Sequence, residues 1–216
     1  MRTNLNFELE FWERKTLIAG LDEVGVGALA GPIVVAGVIF PTWFQDCRIQ
    51  DSKTLSSQKR QEVYLLIKEK ALDIQTIVLN VSTIEKNNPL ETTKKGMKEV
   101  MNSFKLKPDL YLIDGNLKIK GDSTLNLVKG DSKSVSIAAA SIVAKVTRDR
   151  IMQKYHSFFP TYNWYKNKGY FDKKHLIALL KHGFCRFHRR TYEPIKSLFE
   201  GKNVEELKSK YSKFVD

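Results

Sequence analysis

The chain has 216 residues, long enough for one large domain or for one domain with a small appendage. Lysine and arginine outnumber aspartate and glutamate by 36 to 24, and the net charge of +12 favours a polyanionic partner such as nucleic acid over a membrane. The two cysteines lack the C-x-x-C spacing of a zinc site and fit a reducing compartment, and no apolar run approaches the ~18 residues that a membrane span requires. Because residues 1–15 also lack the apolar core of a signal peptide, we expect a cytoplasmic protein that does not enter a membrane.

The predicted fold opens with two apolar runs on either side of a glycine-rich segment. Residues 17–21 are predicted to end a buried strand, and the β-branched run 33–40 to form a second strand. Between them lie two adjacent acids and three glycines, namely Asp22, Glu23, Gly25, Gly27 and Gly31. Burying paired carboxylates is costly unless they bind a positive group, so this segment indicates either a cation site or a solvated turn at the strand end.

The rest of the chain alternates helices and strands without an internal repeat, which predicts an α/β fold. Helices are predicted over residues 57–72, from Pro89 onward, over 136–155, over 173–182 and from 203 onward; strands are predicted over 74–81, 110–113 and 125–128. The helix over 136–155 begins with small apolar residues, so we expect it to lie flat on the sheet. The last helix would carry Val204, Leu207, Tyr211 and Phe214 along one stripe.

Four acids are placed by these predictions at or just after strand ends. Asp22 and Glu23 end one strand, Asp114 ends another, and Asp131 follows a third. Strand ends converge at one edge of an α/β sheet, and carboxylates gathered there repel one another unless hard cations hold them. Oxygen ligands without histidine or cysteine favour Mg²⁺ or Mn²⁺, and two such ions can clamp a displacement at phosphorus. Taken singly, an aspartate after a strand is also typical of a turn or a helix cap.

Asp22 and Glu23 raise a question of geometry, because adjacent residues of a strand point to opposite faces. We therefore expect a turn or a bulge at this point, which the nearby glycines would permit. The same glycines fit the dinucleotide fingerprint G-x-G-x-x-A over residues 25–30. That motif requires a helix to open at once, whereas Gly31-Pro32 and a β-branched run follow, so we disfavour it.

Basic and aromatic residues elsewhere suit a nucleic-acid groove. The candidates are Lys53, Lys59, Arg60, Lys145, Arg148, Arg150 and the segment 162–170, YNWYKNKGY. Aromatic rings interleaved with lysines can stack on bases and contact phosphates, and a packed aromatic corner is the alternative. The run Phe187-His188-Arg189-Arg190 is either a phosphate contact or a solvated basic turn, and His175 is more typical of a structural than of a catalytic histidine.

Several motifs together give the chain a family resemblance. In order along the chain they are GLDEVGVGALAGP, DSKTL, LIDGN, KGDSKSVSIAAASIVAKVTRD, NKGYFDKKH and HRRTY. With these motifs the chain resembles ribonuclease HII, the type 2 ribonuclease H family. The resemblance implies a ribonuclease H fold and a cut on the 5′ side of a ribonucleotide within a duplex, leaving 3′-hydroxyl and 5′-phosphate ends.

The resemblance also implies roles for particular residues. Asp22, Glu23, Asp114 and Asp131 correspond to the metal-binding acids, Tyr170 to the tyrosine that recognises the junction between ribonucleotide and DNA, and Gly25, Val26 and Gly27 to the loop that senses the 2′-hydroxyl. Val26 departs from the family, which usually has Gly-Arg-Gly here, so we expect weaker substrate binding without loss of the metal chemistry.

We therefore predict an endoribonuclease that uses Mg²⁺ or Mn²⁺ on RNA:DNA hybrids and on ribonucleotide-containing duplex DNA. Residues 1–192 would form the catalytic domain, with a mixed β-sheet flanked by helices, and residues 193–216 a small helical C-terminal region. Lys53 and Lys145 would help to bind the substrate, and we expect a monomer. The alternative is a non-catalytic protein that binds duplexes or hybrids, which would need a degenerate acid set, whereas all four acids are present.

Overall fold

The fold is built around a five-stranded mixed sheet. The structure is a computed structural model that describes residues 6–14, 16–119 and 123–215. The strands are β1 (Ile18–Val24), β2 (Ile33–Ile39), β3 (Asp73–Leu79), β4 (Leu110–Asp114) and β5 (Thr124–Leu127). Their order across the sheet is β3-β2-β1-β4-β5. Strand β1 runs antiparallel to β2 and parallel to β4, and β4 runs parallel to β5.

The helices occupy most of the predicted positions. They are α1 (Asn6–Trp12), α2 (Ser57–Lys70), α3 (Val81–Asn87), α4 (Pro89–Ser103), α5 (Val135–Phe158), α6 (Trp164–Asn167), α7 (Lys173–His182), α8 (Ile195–Phe199), α9 (Val204–Lys210) and α10 (Ser212–Val215). The predicted start at Pro89 is confirmed, and Gly183 follows α7 with φ of +74°. A mixed sheet flanked by helices is thus the architecture that the sequence predicts.

Several short elements differ from the prediction. Strand β3 ends at Leu79, because the side chain of Asn80 accepts a hydrogen bond from the Thr83 amide and starts α3. The last helix is interrupted at Tyr211, so the predicted stripe is divided between α9 and α10. Helix α1, which the sequence analysis did not predict, buries Glu8 and Trp12.

The chain divides into two compact units. The first comprises Met1–Val24, Val34–Val78 and Glu91–Thr147, and the second comprises Gly25–Ile33, Leu79–Leu90 and Arg148–Asp216. In the first unit the start of α5 lies directly against β1, because a Cβ atom on Gly20 would be 2.2 Å from the carbonyl carbon of Ser136. The expectation that this small-residue helix lies against the sheet is met there.

The second unit has its own apolar core. It contains Leu29, Ala30, Met152, Tyr162, Trp164, Ala178, Leu179 and Ile195. Because Tyr162 and Trp164 are buried in it and stack with ring centroids 5.1 Å apart, this part of the segment 162–170 is the packed aromatic corner rather than a stacking surface for bases. Within the described part of the chain, we find no helix whose length and apolar character would let it cross a membrane.

Candidate active site

Asp22 and Glu23 lie within β1 rather than beyond its end. Their register with β2 is unbroken, with Asp22 opposite Ala36 and Glu23 opposite Val35. The expected turn or bulge at Asp22 and Glu23 is therefore wrong, because the strand continues in regular pairing to Val24. The turn begins at Gly25, whose φ of +97° strongly favours glycine.

Three carboxyl groups of the first unit act on one another electrostatically. The pKa of Asp22 is raised well above its usual value by burial and then by the charges of Glu23 and Asp114. Burial, followed by the charge of Asp114, raises the pKa of Glu23 to about 7. Mutual repulsion among buried carboxylates favours either proton uptake by one of them or a bound cation.

Asp131 joins this group through Asp114. Burial raises the pKa of Asp114, the Gly130 N–H opposes that rise, and the charge of Asp131 adds to it. The Gly130 N–H donates to Oδ1 of Asp114 at 2.6 Å, so the start of the 3₁₀ turn Gly130–Ser132 is tied to the end of β4. The pairing of β4 with β5 sets this approach, because Asp114 lies opposite Leu127, three residues before Gly130.

Asp22 has a hydroxyl partner, Ser141, that the sequence did not predict. The Ser141 side chain on α5 hydrogen-bonds to Asp22 and opposes the rise in its pKa. Ser141 Oγ in turn lies 3.0 Å from Ser52 Oγ, and both serines are buried. Ser52 belongs to the DSKTL motif, which was the available signal for a role near the acids.

Lys53 and Lys145, both predicted to bind substrate, differ in their surroundings. The Nζ atom of Lys53 lies 3.5 Å from Oδ2 of Asp131, while 80% of the lysine side chain stays exposed. The lysine thus reaches an acid and remains accessible to a ligand. Lys145 is half-buried on α5.

The four acids present oxygen donors only, which is the donor set of a hard divalent cation. Among the described residues, however, no group of three or more histidine, cysteine, aspartate or glutamate side chains is arranged to hold a metal ion. Three of the acids accept from protein donors instead, Asp22 from the Glu23 amide, Asp114 from Gly130 and Asp131 from Lys53. By charge and donor chemistry the residues fit a divalent cation, and the side chains would have to converge to bind one.

In the second unit, two buried arginines secure the Gly25–Ile33 segment. Arg189 donates to the carbonyl oxygens of Gly25 and Val26, each at 2.7 Å, and to that of Gly31. Arg148 donates to the carbonyl oxygens of Pro32 and Ala30. Both residues are fully buried, so the groove contact expected of Arg148 is wrong, and Arg189 is neither a phosphate contact nor part of a solvated turn. Burial lowers the pKa of Arg189 to about 10.

The loop residues proposed from the resemblance differ in exposure. The carbonyl of Val26 also accepts from the Tyr192 hydroxyl at 2.7 Å, and the residue is half-buried. Gly27 is exposed, and no described residue other than its two chain neighbours has an atom within 4 Å of the position that a Cβ would take. The loop therefore turns its carbonyls at Gly25 and Val26 toward the protein and leaves Gly27 open.

Tyr170 is half-buried, with its ring 5.0 Å from the guanidinium carbon of Arg148. Its carbonyl accepts from Nδ1 of His175 at 2.9 Å. The other ring nitrogen of His175 accepts from Trp164 Nε1 and lies 3.0 Å from Nε2 of His188, so His175 is structural, as expected. His188 Nδ1 accepts from the Cys185 amide, and burial followed by the charge of His175 lowers the pKa of His188 to about 3. Two neutral imidazoles thus support the backbone of Tyr170.

Comparisons with known proteins agree with this arrangement. A family model described as Ribonuclease HII matches residues 19–195. Ribonuclease HII of Aquifex aeolicus (strain VF5) is 43% identical over 192 residues, which cover 89% of this chain and 97% of that protein.

Two solved structures share the fold. The ribonuclease H2 from Pyrococcus horikoshii OT3 has a TM-score of 0.73 at 23% identity and covers 86% of this chain and 98% of its own. Bst-RNase HIII, solved in complex with Mn²⁺, has a TM-score of 0.64 at 19% identity and covers 86% of this chain and 70% of its own. Since the family model matches more than half of the sequence and the Aquifex relative is similar over nearly its whole length, the chain belongs to the ribonuclease HII family.

Proposed function

We propose that this protein cuts the RNA strand of RNA:DNA hybrids and nicks duplex DNA on the 5′ side of an embedded ribonucleotide, with divalent metal ions held by Asp22, Glu23, Asp114 and Asp131. Membership of the ribonuclease HII family supports the coarser part, ribonuclease H activity on hybrids. The observation that carries the site is the mutual electrostatic effect of Asp22, Glu23 and Asp114 in a desolvated place.

The metal ions are proposed to be Mg²⁺ or Mn²⁺. The Mn²⁺ in the Bst-RNase HIII structure supports a divalent ion of this kind. Bound at these acids, such ions supply Lewis-acid activation of water and stabilisation of the charge that develops at phosphorus.

The side chains around the acids have separate tasks in this proposal. The buried carboxyl of Asp22 is oriented by Ser141, and that of Asp114 by the Gly130 amide. Both contacts fix a carboxylate before any ligand binds, which lowers the cost of assembling the site. The exposed ammonium group of Lys53 can leave Asp131 for a substrate phosphate, because the contact between them, at 3.5 Å and open to solvent, is weak.

Substrate recognition is proposed for Gly25, Val26, Gly27 and Tyr170, with Lys145 as a further phosphate contact. Exposure of Gly27 supports close approach of a nucleotide to the loop, and the Arg189 contacts supply the rigidity that such a loop needs. Arg148 behind the Tyr170 ring holds that ring in one orientation. A cytoplasmic location, a monomeric state and a boundary near residue 192 stay predictions of the sequence.

Four duplexes of one sequence test the proposal: all DNA, one ribonucleotide, four ribonucleotides, and a full RNA:DNA hybrid. We expect cleavage of all except the DNA duplex, only with Mg²⁺ or Mn²⁺, and 3′-hydroxyl and 5′-phosphate ends at the single ribonucleotide. Tight binding of the same duplexes without any cut under either metal would favour the alternative, a non-catalytic binding protein.

Replacing Tyr170 with alanine tests the recognition role. Losing one stacking ring costs about 1–3 kcal/mol, so the preference for the single ribonucleotide over the full hybrid should fall by about five- to 150-fold. Mn²⁺ affinity should stay unchanged. Tyr165→Ala is the matched control, because Tyr165 is exposed on α6 in the same segment. An unchanged preference together with a large loss of thermal stability would assign Tyr170 to the core instead.

A further inference from the structure

Glu8 on α1 is a fully buried carboxylate far from the other acids in sequence. Its Oε1 accepts from the Ser134 hydroxyl at 2.5 Å and from the Ser136 amide at 3.1 Å. Among the residues that the structure describes, its buried Oε2 has no hydrogen-bond partner, and neither does the Ser136 hydroxyl. Burial raises the pKa of Glu8 and the two serines oppose that rise. Such a group is costly to bury, so the contacts that it makes require an explanation.

The contacts of Glu8 close the loop that carries Asp131. The Ser134 amide donates to the carbonyl of Gly130 at 2.8 Å, and Ser134 Oγ accepts from the Ile137 amide and caps α5. The amide of Gly130 donates to Asp114. The segment 130–134 is therefore fixed at one end on Asp114 and at the other end on Glu8, with Asp131 between them.

The need to cap α5 does not by itself explain why the carboxylate of Glu8 is buried next to Ser134. Ser134 already supplies the cap through its own hydroxyl, and serine is among the preferred residues at that position. What Glu8 adds is a fixed direction for the Ser134 side chain and a partner for the Ser136 amide. The residue also lies outside residues 19–195, which match the family model, so the family match does not include it.

We infer that Glu8 is a positioning residue for the metal site: it holds the segment 130–134 so that Asp131 and the Gly130 amide keep their places beside Asp114. This inference rests on the proposed function, because it concerns the same metal-binding acids. Partners behind a ligand shell commonly change metal affinity by about 10- to 100-fold when they are removed. Glu8 reaches this segment through Ser134 rather than touching an acid directly, so we expect a loss of metal affinity at the lower end of that range.

The test compares Glu8→Ala and Glu8→Gln in the full chain. Alanine leaves the Ser134 hydroxyl and the Ser136 amide without their acceptor, and Mn²⁺ affinity, measured by calorimetry on folded protein, should fall about tenfold. The amide oxygen of glutamine can still accept both hydrogen bonds, so Glu8→Gln should bind Mn²⁺ as the wild type does. Hydrogen exchange at the amides of Gly130, Ser134 and Ser136 should speed up in Glu8→Ala only.

Two variants of the same helix serve as controls. Glu10 is exposed, so Glu10→Gln changes one charge on α1 without touching the loop. Trp12 is buried on α1 and its ring lies 6.4 Å from that of Trp43, so Trp12→Phe weakens the packing of the helix and leaves Glu8 in place. Both controls should keep wild-type Mn²⁺ affinity, and Trp12→Phe should do so despite a lower melting temperature.

Mn²⁺ affinity of Glu8→Ala equal to that of the wild type would overturn the inference, and so would an equal loss of affinity in Trp12→Phe. If Glu8→Ala does not fold, Glu8→Asp decides, because it keeps the charge and withdraws the carboxylate by one methylene; unchanged affinity and unchanged exchange would then refute the role. A wild type that cuts no ribonucleotide duplex would refute the proposed function instead. In that case hydrogen exchange at residues 130–136 still decides whether Glu8 holds the loop.

Discussion

Replacing Gly20 with alanine should damage the start of α5 and the acid site together. A Cβ atom there would lie 2.2 Å from the carbonyl carbon of Ser136 and 2.3 Å from the amide nitrogen of Ile137. Ordinary van der Waals contact requires at least 3.4 Å. Because both obstructing atoms belong to the helix backbone, no side chain can rotate away, and α5 must move from β1 by roughly 1 Å.

The magnitude follows from that displacement. Overpacking costs about 1–3 kcal/mol, and backbone contact places this case at the upper end. For a chain of this size about 3 kcal/mol corresponds to a melting temperature lower by roughly 6–12 °C. Asp22 lies two residues after Gly20 on β1, and Asp131 lies just before α5. A relative shift of about 1 Å between catalytic groups can cost on the order of 100-fold in rate.

The assay measures thermal melting and single-turnover cleavage of a one-ribonucleotide duplex at saturating Mg²⁺, well below the melting temperature. Gly27→Ala is the control for stability, since the added Cβ would have no described residue within 4 Å besides its two chain neighbours. Its melting temperature should stay close to that of the wild type. A Gly20→Ala protein with wild-type melting temperature and wild-type rate would refute the close packing of α5 on β1.

Three further predictions concern the acids, the loop and a buried histidine. Asp114→Asn should nearly abolish cleavage, because it removes a proposed metal ligand. The melting temperature should not fall, because asparagine keeps an oxygen for the Gly130 amide and removes a charge that raises the pKa values of Asp22 and Glu23. Activity near the wild-type rate would contradict the role of Asp114 as a ligand. Val26→Arg should lower KM about tenfold and steepen the log–log salt dependence by about one, because it adds a charged phosphate donor to a loop whose carbonyl is already held; Val26→Met is the uncharged control, and unchanged salt dependence would contradict the prediction. Acidification should destabilise the fold through His188, whose pKa is about 3 when folded against 6.5 when unfolded. On acidification the unfolded state therefore binds the proton first. The contribution of His188 to the free energy of unfolding is fully present above pH 6.5, and about 2 kcal/mol of it is lost at pH 5.

The histidine contribution must be separated from that of the acids. The pKa of Glu23 is raised to about 7 from 4.5, so its folded carboxyl takes up a proton first and stability rises on acidification through that range. The two effects oppose each other in the wild type. The share of His188 is the difference in urea-unfolding free energy between wild type and His188→Phe followed from pH 7 to pH 5. A difference that does not change with pH would contradict a buried neutral imidazole.

The sequence alone was sufficient for the order of the strands and the longer helices and for the family resemblance. Hydrophobic periodicity is a local property, and so are the proline at the start of α4 and the glycine after α7. The four acids were proposed as a site for the same reason, since carboxylates at predicted strand ends are visible in the chain itself. Short elements such as α3 and the break at Tyr211 were missed, because a single cap or turn carries little signal against a longer apolar pattern.

Only the tertiary structure decided what the buried charged groups do. From the sequence, charged residues such as Arg148, Arg189 and Glu8 are expected at the protein surface. In the structure each of them is fully buried. Their partners lie far away along the chain: 116 residues separate Arg148 from Pro32, 163 separate Arg189 from Val26, and 126 separate Glu8 from Ser134. Irregular loops leave backbone groups that no local pattern satisfies, so polar side chains from distant segments must supply the missing hydrogen bonds. Which side chain does so depends on how the elements pack, and that is why these roles could not be predicted from the sequence.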